Sequence, residues 1–80
     1  MASFSFTDHF EDEVLPNRPY LTREICIRVV KGAIRIEIQS NGWVRFWAIL
    51  AELDGRAVRV VTLPDRRTIH TAFIDRGFRP

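Results

Sequence analysis

The sequence predicts an α+β fold in which two N-terminal helices pack on one face of a four-stranded antiparallel meander. Apolar residues recur at helical spacing through the first third of the chain. The remainder alternates between apolar and polar residues and contains two Gly-containing turn dipeptides, Asn41-Gly42 and Asp54-Gly55. A length of 80 residues suits one domain spanning 1–80, with a helical part at about 6–32 and a sheet at about 34–75.

The first predicted helix begins after Thr7, whose hydroxyl suits an N-cap, and runs to about Leu15. Acidic residues fill its early turns, where negative charge favours the helix dipole. The segment 16–19 contains two prolines and ends it. Its apolar stripe consists of Phe6, Phe10 and Val14.

The second predicted helix has Thr22 as its N-cap and ends at Gly32. Its buried stripe consists of Ile25, Cys26, Val29 and Val30. Because Cys26 is the single cysteine and lies on this stripe, we expect it to be a core residue. A single cysteine also excludes an internal disulfide and a cysteine-based zinc site.

The four predicted strands span residues 34–39, 43–53, 56–63 and 68–74. If both Gly-containing dipeptides are two-residue turns, Ile36 lies opposite Trp47 and Ile49 opposite Val60. The face under the helices then carries Ile34, Ile36, Ile38, Trp43, Arg45, Trp47, Ile49, Leu53, Val58, Val60, Ile69 and Phe73. The other face, here called the open face, carries Arg35, Glu37, Gln39, Val44, Phe46, Ala48, Leu50, Arg59, Val61, Leu63, His70, Ala72 and Ile74.

This register makes Arg59 and His70 diagonal neighbours on the open face, where both could act on one ligand. Apolar residues surround them, and two helices on the opposite side cannot cover these residues. An exposed apolar patch of this kind predicts a partner, a self-association surface or a ligand platform.

Positive charge in this chain is almost entirely arginine, with Lys31 as the single lysine among 12 basic residues. Residues 1–24 hold five acidic against two basic side chains, whereas residues 25–80 hold ten basic against five acidic. Codon composition is one explanation of the arginine excess. A surface that binds phosphate or carboxylate is the other, because the guanidinium group contacts two oxygens at once.

The sequence contains no Gly-rich phosphate loop, no Gly-x-Ser-x-Gly motif and no paired histidines at metal spacing. We therefore expect no metal or other cofactor. No apolar run approaches the length of a membrane span, and the N-terminus lacks the pattern of a secretory signal. These features predict a cytoplasmic protein that does not associate with membranes.

The two histidines are the candidates for acid–base chemistry, since imidazole titrates near neutral pH. His9 lies in the first turn of the first helix and could instead be a solvent-facing or capping residue. A metal cluster of Asp8, His9 and Glu13 is a further alternative. His70 could be a half-buried sheet residue hydrogen-bonded to a neighbour.

The chain resembles the compact toxins of bacterial toxin–antitoxin systems, in particular BrnT, the RelE/ParE superfamily and an uncharacterised bacterial family related to BrnT. The resemblance rests on a helix bearing His9, then Arg18, the segment Arg59-Val60-Val61 and the segment Asp75-Arg76-Gly77-Phe78. It implies a metal-independent endoribonuclease scaffold, with helices on one face of the sheet and RNA on the other. The chain departs from the RelE pattern of several lysines and a C-terminal tyrosine.

The resemblance implies catalytic roles for His70, His9 and Arg59, and RNA phosphate contacts for Arg18, Arg35 and Arg76. It also implies an antitoxin protein bound to the open face. A second hypothesis is a non-enzymatic interaction domain that dimerises through that face, and a third is nucleic-acid binding without cleavage.

Overall fold

A mixed five-stranded sheet forms the centre of the computed structural model, which describes residues 3–80. The strands are β1 (Ser5–Phe6), β2 (Arg35–Ile38), β3 (Val44–Leu50), β4 (Arg56–Thr62) and β5 (Thr68–Ile74). Their spatial order is β1-β5-β4-β3-β2. β1 runs parallel to β5, and every other neighbouring pair is antiparallel. The helices lie in the chain between β1 and β2.

The predicted fold of two N-terminal helices on a four-stranded antiparallel meander is therefore wrong. A strand precedes the helices and makes the sheet mixed, because the amide of Ser5 donates to the carbonyl of Arg67 at 2.9 Å and that of Thr7 to Ile69 at 3.0 Å. Phe6, predicted to belong to the apolar stripe of the first helix, lies in β1. Two residues are too few to show the alternation by which a strand is detected in a sequence.

The first helical segment contains a π-helical turn at Phe10–Val14, followed by the short helix α1 at Leu15–Asn17. The hydroxyl of Thr7 accepts the amide hydrogen of Phe10 at 3.2 Å, in agreement with its predicted capping role. Phe10 and Val14 are both buried in the core. The segment ends at Arg18, as expected for a residue that precedes a proline.

The second helix, α2, spans Arg23–Lys31 and is capped by Thr22, whose hydroxyl accepts from the amide of Ile25 at 3.1 Å. It buries Cys26 and Val29 against the sheet, as predicted. Gly32 is the C-cap of α2, and its amide donates to the carbonyl of Arg28 at 2.8 Å. Among residues 3–80, no helix has the length and apolar character needed to cross a membrane.

The core lies between the helices and one face of β3, β4 and β5. Its buried members are Phe10, Val14, Leu21, Cys26, Val29, Val44, Phe46, Ala48, Leu50, Val58, Val60, Ile69 and Ala72. Phe46, which the predicted register assigned to the open face, is 2% exposed and belongs to this core. Trp47, assigned to the helix side, belongs to the open face instead because it lies opposite Arg35 and Arg59.

The first turn accounts for this exchange of faces in β3. The amide of Gln39 donates to Trp43 at 2.7 Å, so three residues, 40–42, form the loop instead of two. Gly42 adopts φ +89°, a conformation that residues with a side chain rarely adopt. A shift of one residue moves every side chain of a strand to the opposite face. Arg45, predicted on the helix side, consequently lies on the open face.

The second turn is also longer than predicted. A 3₁₀ turn at Ala51–Leu53 and a left-handed Asp54, with φ +57°, bring Leu50 opposite Arg56. The pairing of β2 with β3 and that of β3 with β4 are each shifted by an odd number of residues from the prediction. The first shift moves β3 to the opposite face relative to β2, and the second moves β4 back. Arg35 and Arg59 consequently share the open face, as the sequence predicted.

A bulge at His70 interrupts the pairing of β4 with β5. Thr62 lies opposite Ile69, as predicted, but Val61 lies opposite Thr71, so His70 is an additional residue in β5. After the bulge, each side chain of β5 lies on the face of the sheet opposite to the predicted one. Ala72 is buried in the core, and Phe73 lies opposite Arg59 on the open face.

Candidate functional site

The two histidines converge at the end of the sheet where β5 begins. Their imidazole rings stack, with centroids 4.7 Å apart and planes inclined by 20°. Trp43 contacts His70 edge-on, at a centroid distance of 4.7 Å. The name histidine cluster is used below for Thr7, His9, Trp43 and His70. The parallel pairing of β1 with β5 makes this cluster, because it sets Thr7 and the start of the helical segment beside the His70 bulge.

Thr7 orients the His70 ring, since its Oγ1 lies 3.1 Å from His70 Nδ1. That oxygen already accepts the Phe10 amide and can either donate to Nδ1 or accept a second hydrogen from it. In the tautomer protonated at Nδ1, Nε2 is left free to accept a proton. A single threonine thus caps a helix and holds the candidate base.

Burial lowers the pKa of His70, and the neighbouring charge of His9 lowers it further. His70 is half-buried whereas His9 is exposed. When His9 is protonated, its charge disfavours a second proton on His70. The stacked geometry therefore disfavours the doubly protonated pair, and His70 is the ring kept neutral, as a general base must be.

Arg59 belongs to a separate group of side chains on the open face, here called the arginine–aromatic cluster, of Trp47, Arg59, Phe73, Asp75 and Phe78. The guanidinium carbon lies 4.6 Å from the ring centroid of Phe73 and 5.6 Å from that of Trp47. Arg59 Nε lies 3.4 Å from Asp75 Oδ2, and within residues 3–80 it is the buried side-chain nitrogen without a hydrogen-bond partner.

Asp75 connects the members of this cluster. Its Oδ2 accepts the Trp47 indole hydrogen at 2.9 Å, and its Oδ1 accepts the Gly77 amide hydrogen at 3.1 Å. The bond from Trp47 is the main cause that lowers the pKa of Asp75. Phe78 then stacks on Trp47 at 5.7 Å, and the guanidinium of Arg35 lies 4.9 Å from the Phe78 ring.

The structure separates Arg59 from the histidine cluster. Arg59 lies opposite Phe73, three residues along β5 from His70, which corresponds to about 10 Å at the rise of a strand. Sequence reasoning expected the two residues to be diagonal neighbours, an arrangement that the bulge at His70 removes. Arg45 is the open-face arginine that lies nearer to His70 in the strand pairing. It is opposite Val61 and two residues from Trp43. Its Nε donates to Gln39 Oε1 at 2.9 Å.

The two remaining candidate phosphate ligands lie elsewhere. Arg76 follows β5, roughly 20 Å from His70 by strand rise, and lines a surface pocket of 490 Å³ with Arg56 and Phe78. Arg18 lies at the end of α1, where its carbonyl accepts the Leu21 amide at 2.9 Å. The six candidate residues therefore do not form a single site. His9 and His70 contact each other, and the four arginines lie elsewhere.

The alternative of a metal cluster at Asp8, His9 and Glu13 finds no support in the side-chain geometry. Across residues 3–80, no three His, Cys, Asp or Glu side chains are grouped as a metal site requires. Asp8 and Glu13 are exposed.

Sequence reasoning missed Thr7 as an orienting residue and Trp43 as a neighbour of His70. The sequence feature that could have indicated Trp43 is its position directly after the turn Asn41-Gly42, because this turn lies at the end of the sheet where β5 begins. Comparison with protein-family models, with curated proteins and with solved structures gives no match. The functional proposal therefore depends on the geometry of the two clusters.

Proposed function

We propose that this chain is a toxin-like protein that cleaves RNA without a metal ion, with His9 and His70 as its acid–base pair. The observation that carries the proposal is the stacking of these two rings at 4.7 Å, beside a tryptophan and a threonine. Two imidazoles stacked at this distance are close enough for an acid and a base to act on one phosphodiester. The resemblance to BrnT and RelE-type toxins points to the same activity.

In the proposed reaction, neutral His70 removes the proton from a ribose 2′-hydroxyl, and that oxygen forms a bond to the adjacent phosphorus. The bond from phosphorus to the 5′-oxygen breaks, and protonated His9 donates its proton to that oxygen. The products are a 2′,3′-cyclic phosphate and a 5′-hydroxyl end. Solvent then returns the two imidazoles to their starting protonation states.

Binding of the RNA would use the open face. Trp43 offers a ring on which a base next to the cleaved bond can stack, as aromatic residues do in single-strand recognition. Arg35, Arg45 and Arg59 lie on that face in the neighbouring strands β2, β3 and β4 and can neutralise phosphates. Arg59 would act through its charge, since its side chain is already held by Asp75 and two aromatic rings.

The test uses purified full-length protein and a mixed-sequence RNA in buffer containing EDTA. We expect cleavage that leaves cyclic phosphate ends and requires the 2′-hydroxyl. His9→Gln and His70→Gln should each slow cleavage at least about 100-fold, the usual contribution of an acid or base. Asp12→Asn, a change at an exposed position of the same helical segment, is the matched control and should cleave at the wild-type rate.

Induced expression in a bacterial host extends the test to RNA targets that need the cellular context. Growth arrest and new RNA ends with wild type, both absent with His70→Gln, would support the proposal. Normal growth and intact RNA during wild-type expression would contradict it, and so would cleavage that persists in both histidine variants.

A second candidate function, a non-enzymatic interaction domain, is favoured by the arginine–aromatic cluster. Phe78 already stacks on Trp47 within the chain, so the face accommodates an aromatic side chain next to two guanidinium groups. A partner could present a similar aromatic and acidic segment. Partner binding without any cleavage would favour this candidate over the nuclease, whereas RNA binding without cleavage would favour the third hypothesis, a nucleic-acid-binding protein.

A further inference from the structure

The edge strand β2 and the residue directly before it expose three isoleucines to solvent. Ile34, Ile36 and Ile38, here called the isoleucine strip, are 57%, 47% and 65% exposed. Ile36 and Ile38 lie opposite the buried residues Phe46 and Val44, so they are on the side of the sheet that carries the helices. The helices pack over β3 and β4 and leave the strip uncovered. Three exposed isoleucines side by side on an edge strand indicate an interface.

The backbone of β2 is also unpaired on its outer side. The amide of Gln39 donates to Trp43, which directs the backbone groups of the odd-numbered residues of β2 toward β3. The amide and carbonyl groups of Ile36 and Ile38 consequently point outward. Within residues 3–80, β2 has a neighbouring strand on one side alone.

We propose that β2 pairs antiparallel with β2 of a second copy of this chain, about a two-fold axis at Ile36. Two five-stranded sheets then join into one continuous sheet. Ile36 lies opposite the partner's Ile36, and Ile34 lies opposite the partner's Ile38. The isoleucine strips of both copies meet on one face, and about four backbone hydrogen bonds form between the edges.

The charges of β2 favour the register with the axis at Ile36 over the two registers in which the axis is moved by one residue. Arg35 and Glu37 are both exposed on the open face. With the axis at Ile36, Arg35 lies opposite the partner's Glu37, and the symmetry repeats this pair. Moving the axis by one residue in either direction would place Arg35 opposite the partner's Arg35, or Glu37 opposite the partner's Glu37. Such like-charge pairs are destabilising.

The proposed interface is small, because β2 has four residues. We therefore expect a reversible dimer whose population rises with concentration, not a permanent assembly. The opposite edge, β1, offers two residues and lacks a comparable strip of exposed apolar side chains. This dimer differs from the one predicted from the sequence, since it uses the edge of the sheet and not its open face.

The test is sedimentation velocity of the full chain over a concentration series reaching about 100 µM. Wild type should pass from monomer to dimer, and Ile36→Lys should remain monomeric throughout. Glu37→Arg should raise the dimer dissociation constant about tenfold, because it creates two like-charge contacts. The double variant Arg35→Glu with Glu37→Arg should restore association, since it reverses both charges and keeps both pairs across the dimer interface opposite in sign.

Ile49→Lys is the matched control, because Ile49 is 45% exposed but lies on the open face of β3. It should dimerise as wild type does. A wild-type chain that stays monomeric would overturn the proposal and leave the strip for a different partner. A dimer that survives Ile36→Lys, or a double variant that fails to recover, would overturn it as well. Circular dichroism of each variant establishes that the fold is retained.

Discussion

The indole nitrogen of Trp47 donates a 2.9 Å hydrogen bond to Asp75 and thereby ties the centre of β3 to the segment that follows β5. Trp47 is 5% exposed, so its indole hydrogen has little access to water. The same carboxylate accepts from Gly77 and lies beside Arg59. Asp75 therefore determines where Phe78 stacks and how Arg59 is held.

Asp75→Ala should reduce the free energy of unfolding by about 1–3 kcal/mol, because it leaves the buried indole N–H of Trp47 without an acceptor. Asp75→Asn keeps a carbonyl oxygen at the same place and should cost less. Urea denaturation followed by tryptophan fluorescence measures both effects. Asp12→Ala, at an exposed position, is the control and should change stability by less than about 0.5 kcal/mol. Equal losses for all three variants would contradict this account.

His70 should titrate below the ordinary histidine value of 6.5 in the folded protein, chiefly because it is half-buried. In His9→Gln the repulsion from the His9 charge is gone, so the pKa of His70 should rise. It should nevertheless stay below 6.5, since burial is the larger cause. A proton NMR titration of the imidazole signals measures these values. An unchanged His70 pKa in His9→Gln would show that the stacked rings are not coupled.

Stability should fall in acid in two separate ranges. A lowered pKa means that folded His70 binds a proton less readily than the unfolded chain does, so stability declines as the pH falls below 6.5. The stabilisation from Asp75 is present above its unfolded pKa of 3.8 and is lost as the pH falls through its lower folded value. Urea midpoints across pH 3–8 measure both declines. His70→Gln should remove the upper decline and leave the lower one.

Gly42→Ala should cost about 1 kcal/mol, because Gly42 has φ +89° and a side chain there strains the backbone. The added methyl group itself has space, with Pro64 Cγ at 3.7 Å as its nearest neighbour. Gly32→Ala is the paired variant, since Gly32 has φ −112°. It should be neutral or slightly stabilising. Thermal unfolding of the two variants beside wild type makes the comparison.

Cys26 should be inert in the native protein. It is fully buried on the face of α2 that packs against the sheet, and burial raises the pKa of its thiol to about 12. At pH 8 a thiol reagent such as DTNB should react slowly without denaturant and stoichiometrically in guanidinium chloride. A fast native reaction would mean that α2 opens readily, because the thiol is covered by this helix and the sheet.

The sequence was most informative where a signal was local. The caps at Thr7 and Thr22 and the buried positions of α2 follow from hydrogen-bonding side chains and helical spacing over a few residues. The face shared by Arg35 and Arg59 was also predicted, although for a fortuitous reason. Both turns were longer than two residues, and each error changed the register by an odd number of residues, so the errors compensated across β3.

Features that depend on distant parts of the chain were not predictable. β1 exists because it pairs with β5, and its two residues carry no pattern of their own. The bulge at His70 lacks a sequence signature, yet it decides that Phe73 and not Ala72 meets Arg59. The convergence of His9 with His70 depends on both features. That is why the two histidines could be named as candidates but could not be placed together.

The pairing of β1 with β5 also governs the order in which the chain can acquire its structure. A nascent chain exposes Ser5 and Phe6 early, but their hydrogen-bond partners at residues 67–69 are synthesised about 60 residues later. Contacts between such distant residues close slowly, because a long loop must be ordered first. His9 therefore meets His70 only after β5 has been synthesised and has paired with β1. If this pair cleaves RNA, a truncated product that stops before β5 is inactive, and activity begins only once β5 has joined the sheet.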